Sequence, residues 1–80
     1  MAVDDKKRIK ELEEMIQVIL LAIPTEITAY EFYMSAVNKS VNESSRSLFE
    51  TLAKQEKGHE ASLRKILEEL KGELNQLRNN

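Results

Sequence analysis

The 80-residue chain contains no cysteine and no tryptophan, one histidine, one proline and two glycines. Without cysteine there are no disulfides, no thiolate metal sites and no rubredoxin-type iron module. So few glycines and prolines exclude an architecture of short strands joined by tight turns. A nucleophilic enzyme has little to work with, because cysteine is absent and the sole histidine belongs to the glutamate motif described below; no glycine-rich phosphate loop exists either. The 12 basic and 14 acidic residues are interleaved, giving a formal charge of -2 with no basic block, so nucleic acid is not an expected partner. The longest apolar run, Met15 to Ile23, is interrupted by Gln17 and is about half of the roughly 20 residues that cross a bilayer. It is expected to be core and not a membrane segment. The opening Met1-Ala2-Val3-Asp4-Asp5-Lys6-Lys7-Arg8 leads into no apolar stretch of the secretory kind, and a cytoplasmic location is expected.

Glutamate, leucine, lysine, alanine, isoleucine and serine dominate what remains, a composition suited to long helices. Apolar residues at spacings of three and four, Ile9, Leu12, Ile16, Ile19, Ile23, Tyr30, Tyr33 and Val37, predict a first helix over about residues 4–39. Asp4 and Asp5 suit its positive end and Lys39 its negative end. The polar stretch from Asn38 to Ser45 breaks the pattern, with Ser40 and Glu43 at the spacing of a capping box. A second seam then runs through Phe49, Leu52, Glu56, His59, Leu63, Ile66 and Leu70, predicting a helix over about 43–78. Leu67, Leu74 and Leu77 widen or extend that stripe, and the last residues, Arg78 to Asn80, are expected to fray. Pro24 should kink the first helix, because it removes the hydrogen bond to the Leu20 carbonyl.

A short connection makes two such helices antiparallel neighbours, so residues 1–80 are expected to form one all-α helical hairpin. The first helix carries Met15, Val18, Leu20, Leu21, Ile27, Phe32 and Met34 beside its seam, more than one partner helix can cover. Dimerisation into a four-helix bundle is the simplest way to bury the surplus.

Glu56-Lys57-Gly58-His59 sets a carboxylate and an imidazole three residues apart on one helix face. Alone the motif is weak: with 12 glutamates in the chain, one precedes the only histidine at this spacing by chance about one time in seven. Context strengthens it, because Glu26, Glu56 and His59 are the polar occupants of two otherwise apolar seams. A turn centred near Val41 puts residues 26 and 56 at one height, about 22 Å along the hairpin. Each buried, unpaired carboxylate costs several kcal/mol, and a dimer would gather four of them against a total stability of about 5 to 10 kcal/mol. Two divalent cations balance four carboxylates, and neutral imidazoles fill further positions. Protonated carboxyls or histidine–carboxylate pairs are the alternative without metal.

The stretches Glu26-Ile27-Thr28-Ala29-Tyr30-Glu31-Phe32-Tyr33 and Leu48 to His59 (LFETLAKQEKGH) resemble the ferritin-like superfamily, in particular its rubrerythrin branch. The resemblance covers about residues 16–70. It implies that Glu26, Glu56 and His59 are metal ligands and catalytic residues of a carboxylate-bridged di-iron centre. Ordinary members hold both halves of the bundle in one chain, so the likeness is closest to the two-helix encapsulated ferritins, whose site is completed across a homodimer and which form larger rings. Two iron ions per dimer are then expected, with manganese or zinc as the redox-silent alternative. The implied activity is oxidation of Fe(II) by dioxygen or peroxide, with rubrerythrin-like peroxide scavenging as the alternative. An encapsulating shell is a further implied partner, for which no docking tail is recognisable after the second helix. In another class altogether, the three polar residues would set register in a metal-free helical interaction module.

Tyr30 and Tyr33, one and two turns beyond Glu26, are expected in the core, where each also stands in reach of a ligand. Glu31 turns about 140° off the seam and reads as a solvated or interface carboxylate, or as an auxiliary cation site. Glu60 reads as part of a solvated, mixed-charge face.

Overall fold

The seam of three- and four-residue spacings gives the first half of the chain one continuous apolar stripe, and the second half repeats the pattern after a polar break. In the structure, a computed structural model describing residues 3–79, α1 spans Val3–Lys39 and α2 spans Glu43–Asn79. They lie antiparallel as a rod of 61 × 14 × 14 Å. The expected all-α hairpin is the observed one. Met1, Ala2 and Asn80, parts of the N-terminal stretch and of the end expected to fray, lie outside the described residues.

The caps differ from the expected box. Asn42 caps α2, its Oδ1 accepting from the Ser45 amide at 2.8 Å, a geometry that a short amide side chain makes readily. Ser40 instead closes α1, its hydroxyl donating to the Ala36 carbonyl at 2.8 Å. Nor does the second helix fray at Arg78, whose guanidinium donates to Glu13 of α1 at 2.6 Å. Arg8 donates to Glu73 through both Nε and Nη2, at 2.9 and 2.8 Å, so two ion pairs tie the open end of the hairpin. α1 continues through Pro24, where the Thr25 hydroxyl donates to the Ala22 carbonyl at 2.6 Å.

Leu12, Ile16, Ile19 and Ile23 of α1 pack with Leu67 and Leu74 of α2 to form the core. Leu12 is 2% exposed and its replacement by alanine should cost about 2–5 kcal/mol. Leu12→Ala is therefore expected to lower the urea midpoint by a large fraction of its wild-type value, measured by circular dichroism. A surface change such as Lys65→Ala should leave it almost unmoved.

The α2 seam differs from the expected one. Glu56, Glu60, Leu63, Leu67, Leu70, Leu74 and Leu77 turn toward α1, whereas His59 and Ile66 lie on the exposed flank. Glu60, expected on a solvated face, is half-buried, its side chain 17% exposed and held by Arg64 at 2.9 Å.

Much apolar surface stays uncovered: Met15, Val18, Leu20, Leu21 and Phe32 of α1, and Leu48 and Ile66 of α2. By length and composition α1 would also pass for a membrane span, with a mean hydropathy of 1.3 over an 18-residue window of which 17% is buried. The radius of gyration is 18.2 Å, against about 12 Å for a compact chain of this length.

Candidate metal centre

Residues 26 and 56 stand at equal distances from the turn, so the antiparallel pairing brings them together across the seam. His59 follows Glu56 by three residues and therefore projects from nearly the same side of α2. Its Nδ1 lies 3.4 Å from Oε2 of Glu26 and 3.5 Å from Oε2 of Glu56. Each of the three residues offers a ligand atom within 4.8 Å of the other two.

Donors around a single ion with bonds of about 2.1 Å are separated by roughly 3 to 4.2 Å. The imidazole nitrogen already stands in that range from both carboxylates, and the three ligand atoms all lie within 4.8 Å of one another. Two carboxylate oxygens and one imidazole nitrogen form a mixed, mainly hard donor set suited to iron, manganese or zinc, and three donors leave further coordination positions open. The ring nitrogen is also farther from both carboxylates than the 2.7–3.2 Å of a good hydrogen bond, so the contacts converge on a point without pairing tightly.

Glu26 and Glu56 are mostly covered, at 24% and 15% side-chain exposure, while His59 is 60% exposed. The cluster is thus closed by α1 on one side and open on the other. Hydrogen bonding to Glu56 pushes the Glu26 carboxyl above its ordinary value of about 4.5; partial burial and the Glu56 charge push the same way, and His59 opposes them. Lysine and arginine do little to relieve this crowding. Lys57 and Arg64, the nearest cations along α2, direct their charges at Glu60, at 3.9 and 2.9 Å.

Tyr33 stacks on Phe49 with centroids 6.3 Å apart and meets Phe32 edge-on at 5.7 Å. Tyr30 lies beneath Lys57, whose Nζ is 4.3 Å from the ring centroid. Both tyrosines are half-buried, short of the core expected for them, and make the ring contacts just given. Glu31 is exposed and takes no part in the cluster. Of the neighbours, Glu60 was read as solvated and is half-buried, and Lys57 was not singled out. The signal for Glu60 was its four-residue step from Glu56, which keeps a helix face as well as the three-residue step to His59 does. Gly58 is exposed, and a Cβ there would meet nothing within 4 Å, so no contact among the described residues accounts for it.

Compared with known families, the chain matches the family model described as Rubrerythrin over residues 3–80. No curated protein and no solved structure matched it.

Proposed function

The chain belongs to the rubrerythrin family, a ferritin-like group of di-iron domains, and from that premise we propose that two copies close one centre that oxidises Fe(II) with dioxygen or peroxide. The observation that carries this reading is the convergence of Glu26, Glu56 and His59 within 4.8 Å, on a site covered from one side only.

Several features support a second copy as the missing cover. Leu48 lies eleven residues before His59 and Ile66 seven after it, so both point within about 20° of the imidazole direction. They are 55% and 43% exposed. Met15, eleven residues before Glu26 on α1, is likewise aligned with its ligand and 48% exposed. The open side of the cluster is therefore framed by apolar side chains. A folded monomer of 9.2 kDa has an accessible surface of about 4,900 Å², and this hairpin exposes 5916 Å². The surplus of roughly 1,000 Å² is comparable with the ~800 Å² that each partner covers in a standard interface. Coverage by a second hairpin is preferred to a bilayer because the same surface carries Glu26 and His59, which hydrocarbon would leave unsatisfied.

In such a dimer each chain contributes Glu26, Glu56 and His59, so four carboxylates balance two divalent ions. Glu26 and Glu56 would hold the ions through hard carboxylate oxygens, donors that suit the more highly charged ion. His59 would add one ring nitrogen of its imidazole to the same donor set. The half-buried position of Glu26 and Glu56 excludes water from one side and strengthens their hold on a cation. Iron, when bound, supplies one electron per ion to the oxidant.

The test is anaerobic titration with Fe(II) followed by exposure to air. Wild type is expected to bind two ions per dimer, to consume oxygen and to develop ferric absorbance. Glu56→Ala should weaken binding by more than ~100-fold, since loss of an outer hydrogen-bond partner alone costs 10–100-fold. Absence of binding by wild type would overturn the reading in favour of a metal-free interaction module. Binding without oxygen uptake would replace it with a redox-silent zinc or manganese site.

A further inference from the structure

A second concavity lies on the other side of the hairpin. Lys57 is two residues from His59 and so points about 160° away from it around α2. There, Tyr30 and Met34 of α1 and Glu50, Ala53, Lys54 and Lys57 of α2 line a groove of about 380 Å³. Its volume falls within the usual range of small-molecule sites, about 300–1,000 Å³. Ala53, 2% exposed, and the half-buried Tyr30 and Met34 make an apolar floor. Lys54 and Lys57, three residues apart, share one rim.

We propose that this groove binds a planar aromatic anion, its ring on Tyr30 and Met34 and its anionic group between Lys54 and Lys57. Three features of the groove point to that chemistry. The Tyr30 face already attracts a cation, Lys57 Nζ lying over the ring 4.3 Å from its centroid, and a swing of that flexible side chain toward an anion uncovers the face for a flat ring. Met34 adds a polarisable sulfur side chain to the same floor, suited to aromatic contact. The charges are also graded along the groove: Glu50 lies one turn before Lys54, giving a negative end and a positive end. A ligand with one anionic terminus is therefore held in a single orientation, and a dianion with charge at both ends is rejected. Lys57 is only loosely engaged elsewhere, 3.9 Å from Glu60, and Lys54 has no ion pair among the described residues. Lys54 can turn toward an incoming anion directly, and Lys57 does so by leaving the Tyr30 face.

The groove uses none of the three clustered ligands, so the inference stands apart from the iron reading and is tested on the metal-free protein. Flavin mononucleotide is a suitable probe, because it joins a flat ring to one phosphate and its fluorescence falls when the ring stacks on tyrosine. Saturable quenching is expected. Lys54→Glu/Lys57→Glu should weaken it at least about tenfold, and Tyr30→Leu should abolish most of the quenching. Glu50→Lys should tighten binding by several-fold, a gain that misfolding cannot produce. Riboflavin, which lacks the phosphate, should bind at least about tenfold more weakly, and inorganic phosphate should compete only at far higher concentration. Unsaturable quenching, equal binding of riboflavin, or indifference to the Glu50 and lysine changes in chains that retain wild-type circular dichroism would overturn the proposal.

Discussion

On the proposed shared centre, Ile66→Asp is expected to leave single hairpins and, without touching a proposed ligand, to abolish stoichiometric iron binding. Ile66 is 43% exposed and sits one helical stripe away from the core, so the hairpin itself should tolerate the change. In a symmetric pair the substitution occurs twice. Loss of two buried isoleucine side chains at about 1.5–3 kcal/mol each raises the dimer dissociation constant by ~10²–10⁴-fold, before the cost of an added charge is counted. Sedimentation velocity at micromolar concentration reads the assembly, and Fe(II) titration of the same sample reads the centre. Lys65→Asp, on the exposed outer side of α2, is the control and should change neither. By the same linkage, Fe(II) should drive wild-type association at concentrations where the metal-free chain is monomeric, because an ion held by both copies binds the dimer alone. An Ile66→Asp chain that stays dimeric, or that stays monomeric yet keeps its iron, would remove the shared-centre model.

Glu26→Gln is expected to move stability and metal binding in opposite directions. In the metal-free chain the Glu26 carboxyl is held above its ordinary value, first by hydrogen bonding to Glu56 and then by partial burial and the Glu56 charge. The native state therefore holds that proton more tightly than the unfolded state does. The stabilisation associated with this group is fully present below about pH 4.5 and is lost as pH rises through the raised native value. At neutral pH the metal-free protein thus carries a deficit that glutamine, unable to ionise, does not. Glu26→Gln should melt above wild type at pH 7 when both are metal-free, and the difference should shrink toward zero near pH 4. With Fe(II) present the order should reverse, because wild type gains the binding energy of the ion and the variant, lacking the carboxylate, does not. Calorimetric melting at the two pH values, with and without metal, measures all four states. A variant that melts below wild type in the metal-free state at pH 7 would show that the carboxylates are not in conflict there.

The opposed effects are what the proposed site would show by trading folding stability for affinity, and the placement of its two carboxylates was largely legible before any coordinates. Glu26 interrupts the run Ile19, Ile23, Tyr30, Tyr33, and Glu56 interrupts Phe49, Leu52, Leu63, Leu70, so each stands out as a polar residue where the pattern calls for an apolar one. Their meeting followed from equal distance to the polar break. Asn42 in place of Ser40 as the cap was not legible, since serine and asparagine compete for that role with nearly equal preference. The burial of Glu60 was hidden for a different reason: its charged neighbours Lys57 and Arg64 make it look like any solvated charge, although its side chain is only 17% exposed.

Sequence alone determined the two helices, the turn between them and the facing of Glu26 with Glu56, because each rests on local periodicity and on counting residues from one break. Tertiary structure decided which side of α2 meets α1. Along α2 the line Glu56, Leu63, Leu70, Leu77 has apolar neighbours on both flanks, Ile66 on one and Leu67 with Leu74 on the other. A step of three residues from that line turns −60° and a step of four turns +40°, so periodicity accepts either flank. α1 took the side of Leu67 and Leu74, which bury more surface, and thereby left His59 beside Ile66 on the open face. That choice is made by packing between helices distant in sequence, and no pattern within one helix contains it.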